Sequence, residues 1–289
     1  MNQSKWCHHS FYLGAIVLVI LLNGYFSFSH GADSVVTLDR SGDRDPVNCA
    51  TTIDPVKQSY ILTEVPDAIA TLVMFTGGGL LGAEDGQISI NATNFLMRSR
   101  HLFASLGFNV AVMDAATDFL TCPYGFRGQR LTPEHLSDIE VVIDDLRGRY
   151  PNQEVWVVGI CRGTLSAAQA AAELSVESGG PDGLVLLSTV TQLAPFPSNV
   201  TIFDVALQTI TVPTLIVTNK QDECWVTPPN DTKKIKDQLT SALKVHIKRF
   251  NGGFEPISLP CWSLSYHNYF GIEPKVAKHI AKWIKKQIN

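Results

Sequence analysis

The chain has no strong excess of charge of either sign: 23 Lys and Arg stand against 27 Asp and Glu in 289 residues. That balance supplies no broad field for a phosphate backbone and no basic stripe worth naming, which argues against a nucleic-acid partner. After the N-terminal segment there is no second apolar run long enough to cross a bilayer; later runs, such as 184–187, have the length of strands. There is no internal repeat, no low-complexity tract and no linker-like stretch, which excludes repeat arrays and tandem modules. Histidine and carboxylate residues nowhere gather at metal-ligand spacing, so no metal is expected. The glycine-rich stretch at 77–82 has neither the tight GxGxxG spacing nor a following Walker lysine, so no nucleotide cofactor is expected either.

What is present begins with an unusual N-terminus. Residues 1–9 carry Lys5 and no acid, residues 11–28 carry no charge, and Ser29 and Gly31 form a small-x-small pair. This order predicts a secretory signal peptide over 1–31, cleaved after Gly31. The alternative is a retained N-terminal anchor, since the run sits at the short edge of what crosses a bilayer. Either puts the remainder outside the cytosol: periplasmic or secreted if cleaved, membrane-anchored and facing outward if not, with a membrane as partner only then. Residues 32–58 read as a polar surface leader with at most an early strand at its end, and 59–289 as a single domain. Cys7 leaves with the signal, so Cys49, Cys122, Cys161, Cys224 and Cys261 remain. An odd number in an oxidising compartment predicts an unpaired thiol or an intermolecular bond.

From residue 59 onward short apolar runs alternate with amphipathic segments. Strands are expected at 59–64, 71–75, 109–113, 154–158, 184–188, 214–218 and 244–249. Helices are expected at 94–106, 134–149, 163–175, 231–242 and 273–287. The pattern predicts an α/β architecture, a mostly parallel sheet covered by helices on both faces. The long segments 77–92 and 115–132 each follow a strand, where ligands bind in such sheets.

The most specific local signal is Gly159-Ile160-Cys161-Arg162-Gly163 between the strand at 154–158 and an alanine-rich helix. A side chain at either glycine would crowd a sharp strand-to-helix turn that holds the central residue on strained backbone. The adjoining helix N-terminus favours a thiolate at Cys161. The plainer alternative is an inert buried cysteine in an ordinary corner. A nucleophile needs a base, and the base a carboxylate. Asp222 lies just past a strand end, with Glu223 and then Asp204 as weaker candidates. His267 is the histidine that follows Asp222 in a loop; His101, His246 and His279 fall inside helices or a strand, and His135 precedes the cysteine. Oxyanion donors are expected from the Arg162 N–H and from Gly78 or Gly79. If the loops bearing Asp222 and His267 meet, Cys224 and Cys261 come close enough for a disulfide, Cys49 and Cys122 form a second pair, and Cys161 is the free thiol.

Together these residues resemble the α/β-hydrolase superfamily over about residues 59–288, with most likeness to the dienelactone hydrolase group. Cys161 stands where most of its members carry serine. The resemblance implies an α/β-hydrolase fold and a hydrolase of an ester, thioester or lactone, working through an acyl-enzyme on the Cys161, His267 and Asp222 triad. The implied partner is a small molecule with an acyl or lactone carbonyl. Alternatives are an acyltransferase on the same triad, a catalytically weak descendant that binds a ligand or partner, and an exported scaffold. Leu80, Leu81, Phe119, Tyr124, Phe126, Phe196, Trp225, Tyr266 and Phe270 are expected to face the cleft. Arg127 and Arg130 are expected either to meet a substrate carboxylate or to be solvated surface.

Overall fold

The structure is a computed structural model, and it describes residues 32–43, 45–49, 55–78, 93–122, 125–194 and 199–288. Strands run β1 Asp33–Asp39, β2 Lys57–Thr63, β3 Ala70–Phe75, β4 Phe108–Met113, β5 Glu154–Cys161, β6 Gly183–Thr189, β7 Thr214–Asn219 and β8 Val245–Phe250. Helices are α1 Phe95–Ser105, α2 Pro133–Arg149, α3 Gly163–Glu173, α4 Thr232–Gln238 and α5 Glu273–Ile284. The strands form one sheet in the order β1-β2-β4-β3-β5-β6-β7-β8, in which β2 runs antiparallel to both its neighbours, β1 and β4, and the remaining pairs are parallel.

The central strands are apolar throughout because both of their faces are covered. Alternate residues divide between two cores. Leu72, Met74, Val110, Val112, Val158 and Val185 pack with Phe95, Phe103, Val276 and Ile280 of α1 and α5. Val73, Phe75, Ala111, Val157 and Leu186 pack with Ile139, Val142, Ala167 and Ala168 of α2 and α3. Helix starts follow local chemistry. The Asn94 side chain accepts from the Leu96 and Met97 N–H groups at the head of α1, and Thr132 caps α2 ahead of Pro133. Gly107, at φ +90°, turns the chain from α1 into β4.

Two expectations change. Part of the segment read as a polar leader joins the sheet: Asp33–Asp39 is the edge strand β1, half-buried and paired along its length with β2. Its mixture of acids and valines hides a strand of which one face alone is covered. The helix expected over 231–242 closes at Gln238, because Leu239 leaves helical geometry and turns into the core. Asp33 lies opposite Thr63, and Thr63 opposite Val110, so β1 begins near the N-terminal ends of the parallel strands, remote from Cys161. There Asp33 takes an ion pair from Arg100 at 2.6 Å and a hydrogen bond from Thr63 Oγ1 at 2.6 Å. Among the described residues no helix is long and apolar enough to cross a membrane.

Candidate active site

The site forms at the C-terminal ends of β3, β5, β6 and β7. Strand β5 ends with a register shift between Ile160 and Cys161, and Cys161 sits at φ +54°, a conformation an L-residue adopts only under strain. The flanking glycines make that turn feasible. A Cβ on Gly159 would lie 2.3 Å from the Gly163 carbonyl oxygen, and one on Gly163 would lie 2.0 Å from that of Phe75. A third glycine that the sequence reading did not single out is Gly77, after β3. Its Cβ would come within 2.5 Å of Cys161 Cβ, so the backbone of this turn lies directly against the thiol-bearing residue. Gly78 is one residue further along, with its carbonyl accepting from Arg130 Nη2 at 2.9 Å. Gly79 lies outside the described residues, as do Leu80, Leu81, Tyr124 and Phe196.

Asp222 and His267 meet although 45 residues apart: His267 Nδ1 donates to Asp222 Oδ2 at 3.0 Å, and both side chains are fully buried. The other Asp222 oxygen accepts from the Cys224 N–H at 2.9 Å. Thr227, absent from the sequence reading, completes the carboxylate's shell. Its hydroxyl donates to Asp222 Oδ2 at 3.0 Å and lies 3.1 Å from His267 Nδ1. Glu223 is exposed, and Asp204 accepts from the Thr201 N–H at 2.7 Å within a local cap, so neither competes for His267. The His267 turn is pinned from beneath. Ser188 Oγ donates to the His267 carbonyl at 2.8 Å, and Asn219 Nδ2 donates to the Tyr266 carbonyl at 3.2 Å. Serine, threonine and asparagine in these roles carry no sequence signature, which is why they were not legible.

The remaining imidazole nitrogen, Nε2, is buried and has no hydrogen-bond partner of good geometry among the described residues. Charge nevertheless couples this ring to Cys161. Burial opposes ionisation of both groups, yet the Asp222 carboxylate and then Cys161 hold the His267 pKa well above the ordinary imidazole range. The Cys161 thiol is correspondingly drawn below the usual thiol range, against burial, by His267 and then by the Arg162 charge and backbone N–H. Cys224 bonds to Cys261 and Cys49 to Cys122, leaving Cys161 as the free cysteine among the described residues. Asp222, Cys224 and His267 present ligand-type atoms within 4.8 Å of one another, but the disulfide at Cys224 and the Asp222–His267 bond occupy those atoms, so the cluster does not suit a metal.

Other predicted positions fall differently. Phe119 and Phe126 do not face the cleft; they pack with Val47, Val56 and Cys122 into a small satellite core closed by the Cys49–Cys122 bond. Arg127 is exposed, whereas Arg130 is buried. Trp225 is 62% exposed on the acid loop, and Tyr266 and Phe270 are half-buried beside His267. Tertiary packing also produces a local basic patch that the balanced total charge conceals. Lys220, Lys233, Lys236 and Arg249, with Asp237, line a surface hollow of about 580 Å³ along α4 and β8, not over Cys161.

The sheet order, the strained turn after β5 and the acid and histidine after later strands define an α/β-hydrolase fold. No known family profile matches the sequence, and no curated protein matches it. Solved structures do share its shape. An esterase from Pyrococcus furiosus superposes with a TM-score of 0.59 at 11% identity, covering 90% of this chain and 92% of the other. An α/β serine hydrolase homologue from Coxiella burnetii gives 0.55 at 13% identity, over 81% and 95% of the two chains. A dienelactone hydrolase from Anabaena variabilis gives 0.51 at 15% identity, over 83% and 96%.

Proposed function

We propose that the protein is an exported thiol hydrolase that cleaves a small ester, thioester or lactone through an acyl-enzyme on Cys161. The observation that carries this reading is the buried Asp222–His267 pair, whose charge is coupled to Cys161, the one free cysteine among the described residues, on a strained turn. Cys161 Sγ, as thiolate, attacks the substrate carbonyl carbon; a C–S bond forms and the carbonyl π pair moves onto oxygen. The oxyanion meets the Arg162 N–H and the N–H groups of the glycine turn after β3. His267, its ring aligned by Asp222, gives its Nε2 proton to the leaving group as the acyl–heteroatom bond breaks. Water then attacks the thioester, losing a proton to His267, and the C–S pair returns to sulfur as the acid departs.

The esterase and dienelactone hydrolase neighbours support this reading through shared fold. The two disulfides are compatible with an oxidising compartment, supporting a periplasmic or secreted location for a cleaved chain. Half-buried Tyr266 and Phe270 and exposed Trp225 favour an apolar or aromatic group on the acyl or leaving side. The test is turnover of a short-chain nitrophenyl ester and of the matching thioester by purified mature protein beside Cys161→Ala. Turnover that disappears in the variant is expected, together with a mass increase on Cys161 equal to the acyl group. Equal rates for a folded parent and the variant overturn covalent catalysis. Product that appears on an added alcohol or thiol in preference to water makes the enzyme an acyltransferase.

A further inference from the structure

Arg130 is 1% exposed and forms no ion pair among the described residues. A guanidinium with no carboxylate beside it is costly to bury, and uncharged side chains of similar length would fill the same volume. Its contacts explain what it does there. Nη2 donates to the Gly78 carbonyl at 2.9 Å, Nη1 donates to Ser166 Oγ at 3.2 Å, and the guanidinium lies 4.3 Å from the Phe126 ring centroid. Nε is buried with no hydrogen-bond partner among the described residues. Ser166 is on α3, the helix that begins behind Cys161, and is itself held by His135 Nε2 at 2.9 Å. Gly78 follows Gly77, whose backbone touches Cys161. One planar fork therefore ties the glycine turn after β3 to the helix behind the nucleophile. Burial lowers the guanidinium pKa to about 9, while the neighbouring Cys161 thiolate favours its charged form.

We propose that Arg130 is a positioning residue for oxyanion binding: by clamping the Gly78 carbonyl to α3, it sets the glycine turn at the distance from Cys161 that the tetrahedral intermediate requires. The proposal rests on the acyl-enzyme reading of Cys161. A lysine would keep the charge and lose the two-pronged geometry, whereas serving merely as a buried cation would need the charge alone.

The experiment compares two reactions of the same sulfur. Acylation by nitrophenyl acetate builds an oxyanion; alkylation by iodoacetamide does not. Both are followed in the parent, Arg130→Lys, Arg130→Met and Ser166→Ala, with KM and kcat separated and the alkylation rate taken at its alkaline plateau. Arg130→Lys and Arg130→Met are expected to lower kcat at least tenfold with KM little changed, while plateau alkylation stays within twofold of the parent; Ser166→Ala should move the same way by less. If Arg130→Met does not fold, Arg130→Lys and Ser166→Ala decide the question. A folded Arg130→Lys with the parent's ratio of acylation to alkylation overturns the positioning role while leaving Cys161 catalysis standing. A parent without Cys161-dependent turnover overturns the acyl-enzyme reading, and the proposal with it.

Discussion

Thr227→Val removes one hydroxyl from a fully enclosed site and replaces it with a methyl group of nearly the same size, so no cavity opens. The hydroxyl donates to Asp222 at 3.0 Å, and Thr227 is 1% exposed, so water cannot take its place. A hydrogen bond to a charged group is worth about 1.5–3 kcal/mol, which for a domain of this size corresponds to roughly 3–12 °C in melting temperature. Asp222 keeps the Cys224 N–H at 2.9 Å and His267 Nδ1–H at 3.0 Å, so two of its three donors remain in place. The assay is equilibrium urea unfolding near pH 7 with both disulfides oxidised, run on the parent, Thr227→Val, Asp222→Asn and the double variant. With the carboxylate gone the hydroxyl loses its charged acceptor, so the cost of Thr227→Val should shrink by at least about 1 kcal/mol in the Asp222→Asn background. Equal costs in the two backgrounds would refute the assignment of Thr227 to the carboxylate.

The pH dependence follows from the two opposed shifts. The ordinary thiol and imidazole values are 9.0 and 6.5, and in the fold the first is lowered and the second raised. Activity should therefore rise with pH through a limb below 9.0 as Cys161 ionises, and fall through a limb above 6.5 as His267 loses its proton. Asp222→Asn should push the iodoacetamide limb upward, and an unshifted limb in that variant would count against Asp222 as the source of the charge on His267. Gly163→Ala should abolish soluble expression, since its Cβ would stand 2.0 Å from a backbone oxygen of β3; a folded variant would mean the elbow can relax more than its packing suggests. Paired replacement of Cys224 and Cys261 by alanine should lower kcat more than it weakens folding cooperativity, because the Cys224 N–H positions Asp222; unchanged kcat with intact folding would show that the loops hold without the bond.

Much of this architecture is legible in the sequence because its signals are steric. The alternation of apolar runs with helices marks seven strands to within a few residues, and the eighth, β1, escapes because its half-buried pattern mixes acids with valines. At the elbow, Gly159 and Gly163 stand out because backbone approaches within 3 Å of where a side chain would begin. Asp222 and His267 are found from their order after strand ends. Their supports are not, because Thr227, Ser188 and Asn219 act through distances that exist only once β6, β7 and the last loop have packed. Arg130 is the clearest misreading. In a loop an arginine looks like a solvent-facing cation or a grip for a substrate, and nothing in its sequence neighbours reveals that it is buried against the Phe126 ring, Gly78 and Ser166.

The placement of Asp33 has a consequence for what the protein can reach. The described chain starts at the pole of the sheet away from Cys161, about 16 Å below it by the rise of the parallel strands, and Arg100 and Thr63 hold it there. A support coupled at Asp33 would stand under that pole as a post stands under a lamp, leaving the Cys161 end turned toward the surrounding medium.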